Sequence, residues 1–169
     1  VRSSSTSGFL AMDTKAQTVM ITNYRLLMEE VKNRIKVLNI LLAGQTGLPN
    51  PAVQEFGFLQ LRILCELIAL ACLTAHGDIA ATREKRLREE WNAPIILKRL
   101  ERLHPDFYPS PIKVEDDGPN KKHISPLQNS FLTKAELISL YGRSSELVHR
   151  GSVAKLIASA PPWPADNSE

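Results

Sequence analysis

Residues 50–77 read NPAVQEFGFLQLRILCELIALACLTAHG. Asn50 followed by Pro51 is a helix-start signal, an N-cap and then a proline whose fixed φ and missing N–H suit the first helical position. From there Phe56, Phe58, Leu59, Leu61, Ile63, Leu64, Leu67, Ile68, Leu70 and Leu73 leave hardly any side of the helix polar. A helix apolar nearly all round is a buried one, so this segment is expected to be the central helix of a bundle, ending near His76–Gly77. Only Arg62 and Glu66 interrupt it in its middle. Four residues apart, they face each other across one helical turn and are expected to form a structural ion pair, the other reading being a polar lining to a cleft. The longest uninterrupted apolar run, Leu67 to Leu73, falls short of the ~20 residues of a membrane span, so no membrane association is expected.

Working outward, Asp13 and Thr14 offer N-caps for a first helix reaching about Ala43. Val19, Leu26, Leu27, Val31, Ile35, Leu38 and Leu42 form its expected apolar stripe. The segment Gly44-Gln45-Thr46-Gly47 stops it; without a Lys-Ser/Thr and a preceding strand it does not read as a phosphate loop. Asp78 is the expected cap of a third, charged helix to about Glu90. Asn92-Ala93-Pro94 then restarts a helix carrying Ile95, Ile96, Leu97, Leu100 and Leu103 to His104-Pro105. The prolines and clustered charges of residues 105–130 exclude a helix and predict a long loop or a small hairpin beside the functional cleft. Thr133 and Glu136 form a capping box for the last helix, which Gly151 ends. The expectation is an all-α fold, an antiparallel bundle of four to five helices with one long irregular loop. A helical domain over 13–160 would lie between a Ser/Thr-rich tail at 1–12 and an irregular tail at 161–169.

The composition is that of an ordinary globular chain: 43% hydrophobic, 23% charged and 6% aromatic. The formal charge of +3 permits a polyanionic partner without requiring one. The mixed run from Arg83 to Glu90 reads as a solvated helical face with opposite charges at i,i+4, or as part of a nucleic-acid stripe. Cys65 and Cys72, two helical turns apart, lie about 10 Å from each other, too far to bridge. They read as buried free thiols, which suits a reducing, cytoplasmic compartment. The spacing of Cys and His residues fits no metal site, and the chain carries no dinucleotide fingerprint, nucleophile elbow, His-Glu-x-x-His or EF-hand loop. No cofactor is expected.

Of the four histidines, His76 and His104 stand at helix C-termini, where an imidazole caps, and His123 lies in a basic loop. His149 is different. It ends the stretch Tyr141-Gly142-Arg143-Ser144-Ser145-Glu146-Leu147-Val148-His149-Arg150-Gly151. Arginine supplies a fixed cation for a phosphate and histidine moves a proton near neutral pH, the two functions a metal-free ribonuclease needs. Six helical residues separate them by about 240°, so they would flank the edge of a groove unless the helix frays near Gly151.

This segment resembles the R-x(4–6)-H motif of the HEPN superfamily of helical-bundle proteins. Leu61-Arg62-Ile63-Leu64-Cys65-Glu66 is similar to the Arg/Glu-bearing central helix of that superfamily's uncharacterised bacterial branch, and Tyr141…Ser145…Val148-His149 to its Y-x-x-x-S-x-x-V-H ending. The resemblance covers residues 15 to 158 in layout and those two segments in residue detail. It implies a homodimer whose two motifs share a cleft. It also implies metal-independent cleavage of RNA through 2′-hydroxyl attack, and a toxin–antitoxin or phage-defence setting with an antitoxin-like or defence-system protein partner. Arg143 and His149 inherit the catalytic roles, with Arg150, Ser145, Lys121 and Lys122 as expected RNA contacts. Ser144 departs from the Asn, Asp or His that often follows the arginine. Against this stands a structural reading in which Arg143 pairs with Glu146, Glu146 with Arg150, and His149 caps the helix. A non-enzymatic interaction or nucleotide/RNA-binding module is the alternative function.

Overall fold

The computed structural model describes residues 14–118, 121–127 and 131–148. The expected tails at 1–12 and 161–169, together with His149 and Arg150, lie outside them. Mostly helical, the chain runs α1 (Thr14–Leu42), α2 (Asn50–Ala75), a 3-10 turn (Ala80–Arg83), α3 (Lys85–Arg88), α4 (Ala93–Leu103), β1 (Ile112–Asp116), β2 (Lys122–Pro126) and α5 (Lys134–Val148). The all-α bundle expected from periodicity is the architecture found.

Helix α1 ends where Gly44 adopts a φ of 68°, a left-handed value that costs glycine little, with its N–H on the Leu41 carbonyl. The short connection folds α2 back along α1. Gly57, early in α2, faces Leu41 late in α1, and Gly77, just past α2, faces Met20 near the start of α1. The two helices are therefore antiparallel. Inside this pair Arg34 bonds the Glu30 carboxylate and donates to Gln60 Oε1 at 2.8 Å, so Gln60 is buried with its polar group satisfied.

The core lies on the other side of α2. Cys65, Ala69, Cys72 and Leu73 of α2 pack with Leu87, with Ala93, Ile96, Leu97 and Leu100 of α4, with Phe107, and with Leu137 and Tyr141 of α5. Helix α2 touches α1, α4 and α5, which makes it central as expected. Two local signals worked as read. Asn92 caps α4, accepting the Ile95 N–H at 3.2 Å. The Thr133–Glu136 box closes both ways, with the Glu136 carboxylate accepting the Thr133 N–H at 2.8 Å and Thr133 Oγ1 accepting the Glu136 N–H at 3.3 Å. The hydrogen bonds from the Thr133 N–H and hydroxyl hold the Glu136 carboxyl below the usual carboxylate range.

Three expectations are corrected. Asn50 is the first residue of α2 and Pro49 holds the cap position, with no side-chain cap bond. The third helix is broken into a 3-10 turn and a single α turn. The Thr82 hydroxyl is within hydrogen-bonding distance of the carbonyls of His76 (2.9 Å) and Ile79 (2.7 Å), an arrangement that competes with a regular helix, and no Asp78 cap forms. Four of the seven residues of the predicted α1 stripe, Val19, Leu26, Ile35 and Leu42, are exposed, because α1 packs chiefly on α2 and buries Leu41 alone. Helix α2 is also long and apolar enough, by length and composition, to cross a membrane, with 39% of its most apolar window buried. A central core helix meets the same criterion of length and composition.

The loop expected within 105–130 contains an antiparallel hairpin pairing Ile112 with Pro126 through Asp116 with Lys122. Gly118, at φ 104°, allows the turn. Nearly every strand residue is exposed.

Burial pushes the Cys65 and Cys72 thiols up to about 11 from 9.0. Both are expected to resist iodoacetamide in the native protein at pH 8 and to react at once on denaturation. The unfolded chain loses these protons first as pH rises. The stability they contribute is therefore whole below about pH 9 and is lost toward pH 11. A melting temperature unchanged between pH 8.5 and 10.5, with rapid native labelling, would place the thiols at the surface.

Candidate functional site

Helix α5 turns Leu137, Tyr141 and Ser144 inward at steps of four and three. Ser144 is fully buried, and its hydroxyl donates to the Leu140 carbonyl at 2.7 Å. Ser145, half-buried, donates to the Tyr141 carbonyl at 2.8 Å. Its proton is thus committed to the helix, which leaves only acceptor lone pairs for the RNA contact expected of it. The position after Arg143 cannot project a polar group outward, since Ser144 faces the core.

Arg143 itself is exposed. Among the described residues it forms no ion pair, and the Glu146 carboxylate one turn on does not close on it. Half of the bland alternative, the Arg143–Glu146 pair, is therefore not formed. The other half, Glu146–Arg150 with a capping His149, falls outside the described residues.

Behind this helix face lies a polar cluster. Arg62 Nε donates to Glu66 Oε1 at 3.2 Å, with the two side chains 16% and 21% exposed. The Tyr141 hydroxyl donates to the same oxygen at 3.4 Å. The guanidinium of Arg62 sits 5.4 Å from the Tyr141 ring centre and 5.7 Å from that of Trp91. Burial raises the Tyr141 hydroxyl above its ordinary value, with Arg62 opposing and Glu66 reinforcing the shift. The expected structural pair is present, and it ties α2 to α5. Trp91 escaped the sequence reading, for its indole lies in sequence between the broken third helix and α4 and meets Arg62 only through the fold.

Glu66→Ala should destabilise the protein by about 2 kcal/mol. The figure sits below the usual cost of breaking a buried pair, because both groups keep some solvent and Arg62 keeps its two rings. An unchanged urea midpoint would mean that the cluster contributes nothing to joining the helices.

The remaining expected site residues stand apart. Lys122 pairs its ammonium with Asp116 across the hairpin, and Lys121 is exposed beside the turn. Lys122 is therefore partnered within the hairpin rather than directed toward α5. His123 is exposed, as read. His76 caps α2 with its side chain: Nδ1 lies 2.9 Å from the Cys72 carbonyl, which can only accept, so Nδ1 carries a proton.

His76 and His104, distant in sequence, bring their rings to 5.3 Å, with Phe107 against His76. His76 and Phe107 border a cleft of about 610 Å³ whose walls include Tyr24, Met28, Ile68, Cys72 and Tyr108. The Tyr108 hydroxyl donates to the Leu132 carbonyl at 2.8 Å, and burial pushes it up to about 12. This cleft is mostly apolar, and of its two phenols Tyr108 is engaged and not acidic, while Tyr24 is exposed. It offers a hydrophobic surface rather than acid–base chemistry. Among the described residues no group of His, Cys, Asp and Glu is placed to hold a metal.

No family model, curated protein or solved structure matches the chain. The functional reading therefore rests on the residues themselves.

Proposed function

We propose that this chain is a HEPN-like, metal-independent endoribonuclease acting as a cytoplasmic homodimer, in a toxin–antitoxin or phage-defence setting with a partner protein of that system. The single observation that supports it is Arg143, an exposed guanidinium without an ion pair among the described residues, on a helix whose opposite face is fixed in the core by Leu137, Tyr141 and Ser144. A rigidly mounted, unneutralised arginine is suited to a phosphate. In the proposed reaction Arg143 holds the scissile phosphate and His149 takes the proton of the ribose 2′-hydroxyl. The 2′-oxygen bonds to phosphorus, the P–O5′ bond breaks, and the 5′-oxygen leaves with a proton, which yields a 2′,3′-cyclic phosphate. The role of His149 comes from its place in the sequence. The test is incubation with single-stranded RNA in EDTA, read for cleavage and for cyclic-phosphate ends. Absence of cleavage across varied RNAs overturns the reading.

The second reading, a non-enzymatic interaction or nucleotide/RNA-binding module, draws on the exposed apolar residues of α1, among them Ile21 (65%), Leu26 (58%) and Leu42 (85%). The same residues support a second copy as partner, since apolar surface on this scale is characteristic of an interface. Sedimentation at tens of micromolar should give a dimer, and Leu26→Glu a monomer. A dimer through α1 does not by itself join two Arg143 sites, and a wild-type monomer would remove the shared cleft from the mechanism.

A further inference from the structure

The broken third helix changes what the charged run from Arg83 to Glu90 can do. Had it been one continuous helix, its acids and bases would have neutralised each other at i,i+4. Among the described residues only one such pair forms, and the Glu90 carboxylate is drawn to the backbone. Glu89 reaches only Lys85, at 3.8 Å. The Glu90 carboxylate accepts the backbone N–H groups of Trp91 and Asn92 at 3.1 and 3.0 Å. Glu101 pairs with Lys134 of α5. Arg83 turns away and donates to the carbonyls of Gly77 and Asp78.

What remains is a notch of about 260 Å³ between α3 and α4, into which Arg86, Arg99 and Arg102 converge beside Glu84. None of the three arginines forms an ion pair among the described residues. Arg99 and Arg102 share a helical face at i,i+3, and Arg86 approaches from the other element. The walls are anchored, because Leu87 and Leu100 beneath them are buried in the core.

We propose that this notch binds a phosphate group. Three cations against one carboxylate leave two positive charges, which match the charge of roughly −1.5 to −2 on a phosphate monoester near neutral pH. They equally suit neighbouring phosphodiesters of a strand. The guanidinium fork fits phosphate oxygens bidentately, and a tetrahedral group presents oxygens to several forks at once. A planar carboxylate saturates one fork and would leave the others unpaired. The phosphate comes either from a single-stranded polynucleotide or from a free nucleotide. The notch shares no residue with the Arg143 site, and the proposal does not depend on cleavage.

The test uses a fluorescein-labelled 2′-O-methyl oligonucleotide, which cannot be cut through its 2′-oxygen, and separately inorganic pyrophosphate and ATP by calorimetry. The variant Arg86→Gln/Arg99→Gln/Arg102→Gln is compared with Lys32→Gln/Lys36→Gln/Lys113→Gln, which removes equal charge elsewhere on the surface. The arginine variant should weaken binding at least tenfold, and for the strand it should flatten the dependence of log K on log salt by about 2, from roughly 0.7 per lost phosphate contact. The lysine control should change binding less than threefold. Weakened oligonucleotide binding identifies a strand as the source. Weakened pyrophosphate and ATP binding with no oligonucleotide affinity identifies a free nucleotide. A wild type that binds none of the three probes, or an arginine variant with unchanged circular dichroism that binds like wild type, overturns the proposal. Binding without cleavage supports the notch while sinking the ribonuclease reading.

Discussion

His149→Ala is expected to abolish ribonuclease activity, by a hundredfold or more, while the protein keeps its fold and melts within a few degrees of wild type. A positioned proton-transfer group contributes about 10²–10⁴ in rate. The stability cost is bounded differently. The described core closes through Leu137, Tyr141 and Ser144, all N-terminal to this position on the α5 segment. Loss of an imidazole near a helix end forfeits at most about 1–2 kcal/mol of dipole interaction. Activity should therefore fall much further than stability. Arg143→Lys should be nearly as damaging, since an ammonium cannot reproduce the fork on a phosphate. Arg143 is exposed, so that substitution should leave the melting temperature unchanged. If the wild type cuts RNA and His149→Ala cuts equally well, the chemistry lies elsewhere.

Leu97→Ala should produce the largest loss of stability, about 3–4 kcal/mol. Leu97 is fully buried, and its cluster joins residues from α2, α4 and α5 with Leu87 and Phe107. Truncation there removes contacts from several elements at once. Helices α2 and α5, both packed on this cluster, leave few ways to collapse into the gap. For a chain of this size such a loss lowers the melting temperature by roughly 6–16 °C. The exposed position Ile95 on the same helix provides the contrast. Ile95→Ala should cost well under 1 kcal/mol. Equal losses at 95 and 97 would mean that α4 is rotated from the face described.

The parts of the fold legible in the sequence are those decided within a turn or two of chain. The glycine stop at Gly44, the Asn92 cap and the Thr133–Glu136 box are local hydrogen-bond arrangements, and each formed where its residues predicted. The misread parts were decided over longer distances. Periodicity predicted a core-facing stripe on α1, but whether Val19 and Leu26 are covered depends on how many neighbours that helix has. The third helix looked regular by charge spacing, yet the hydroxyl of Thr82 and the fork of Arg83 satisfied carbonyls at the end of α2 and broke it. The Arg62–Glu66 pair was legible as an i,i+4 spacing. Its partners Tyr141 and Trp91 were not, since both arrive from other elements. At the candidate site Arg143 could be named from its motif. The inward commitment of Ser144 and Ser145 could not, because it depends on which face of α5 meets the core.

The Arg62–Glu66 pair also bears on how a nascent chain is sorted between water and lipid. Helix α2 has the length and mean hydropathy, 1.9 over its best window, of a segment that insertion machinery tests. Charged side chains at the centre of such a segment raise its insertion free energy by about 3 kcal/mol each. Residues 62 and 66 stand near the midpoint of Asn50–Ala75, where that penalty is greatest. Before any tertiary contact exists, the two charges oppose partition of the helix into a bilayer. After folding they pair with each other and meet Tyr141 of α5 beside the apolar core. Removing both charges would therefore make the isolated segment more apolar and at the same time remove the polar cluster that Tyr141 and Trp91 meet in the fold.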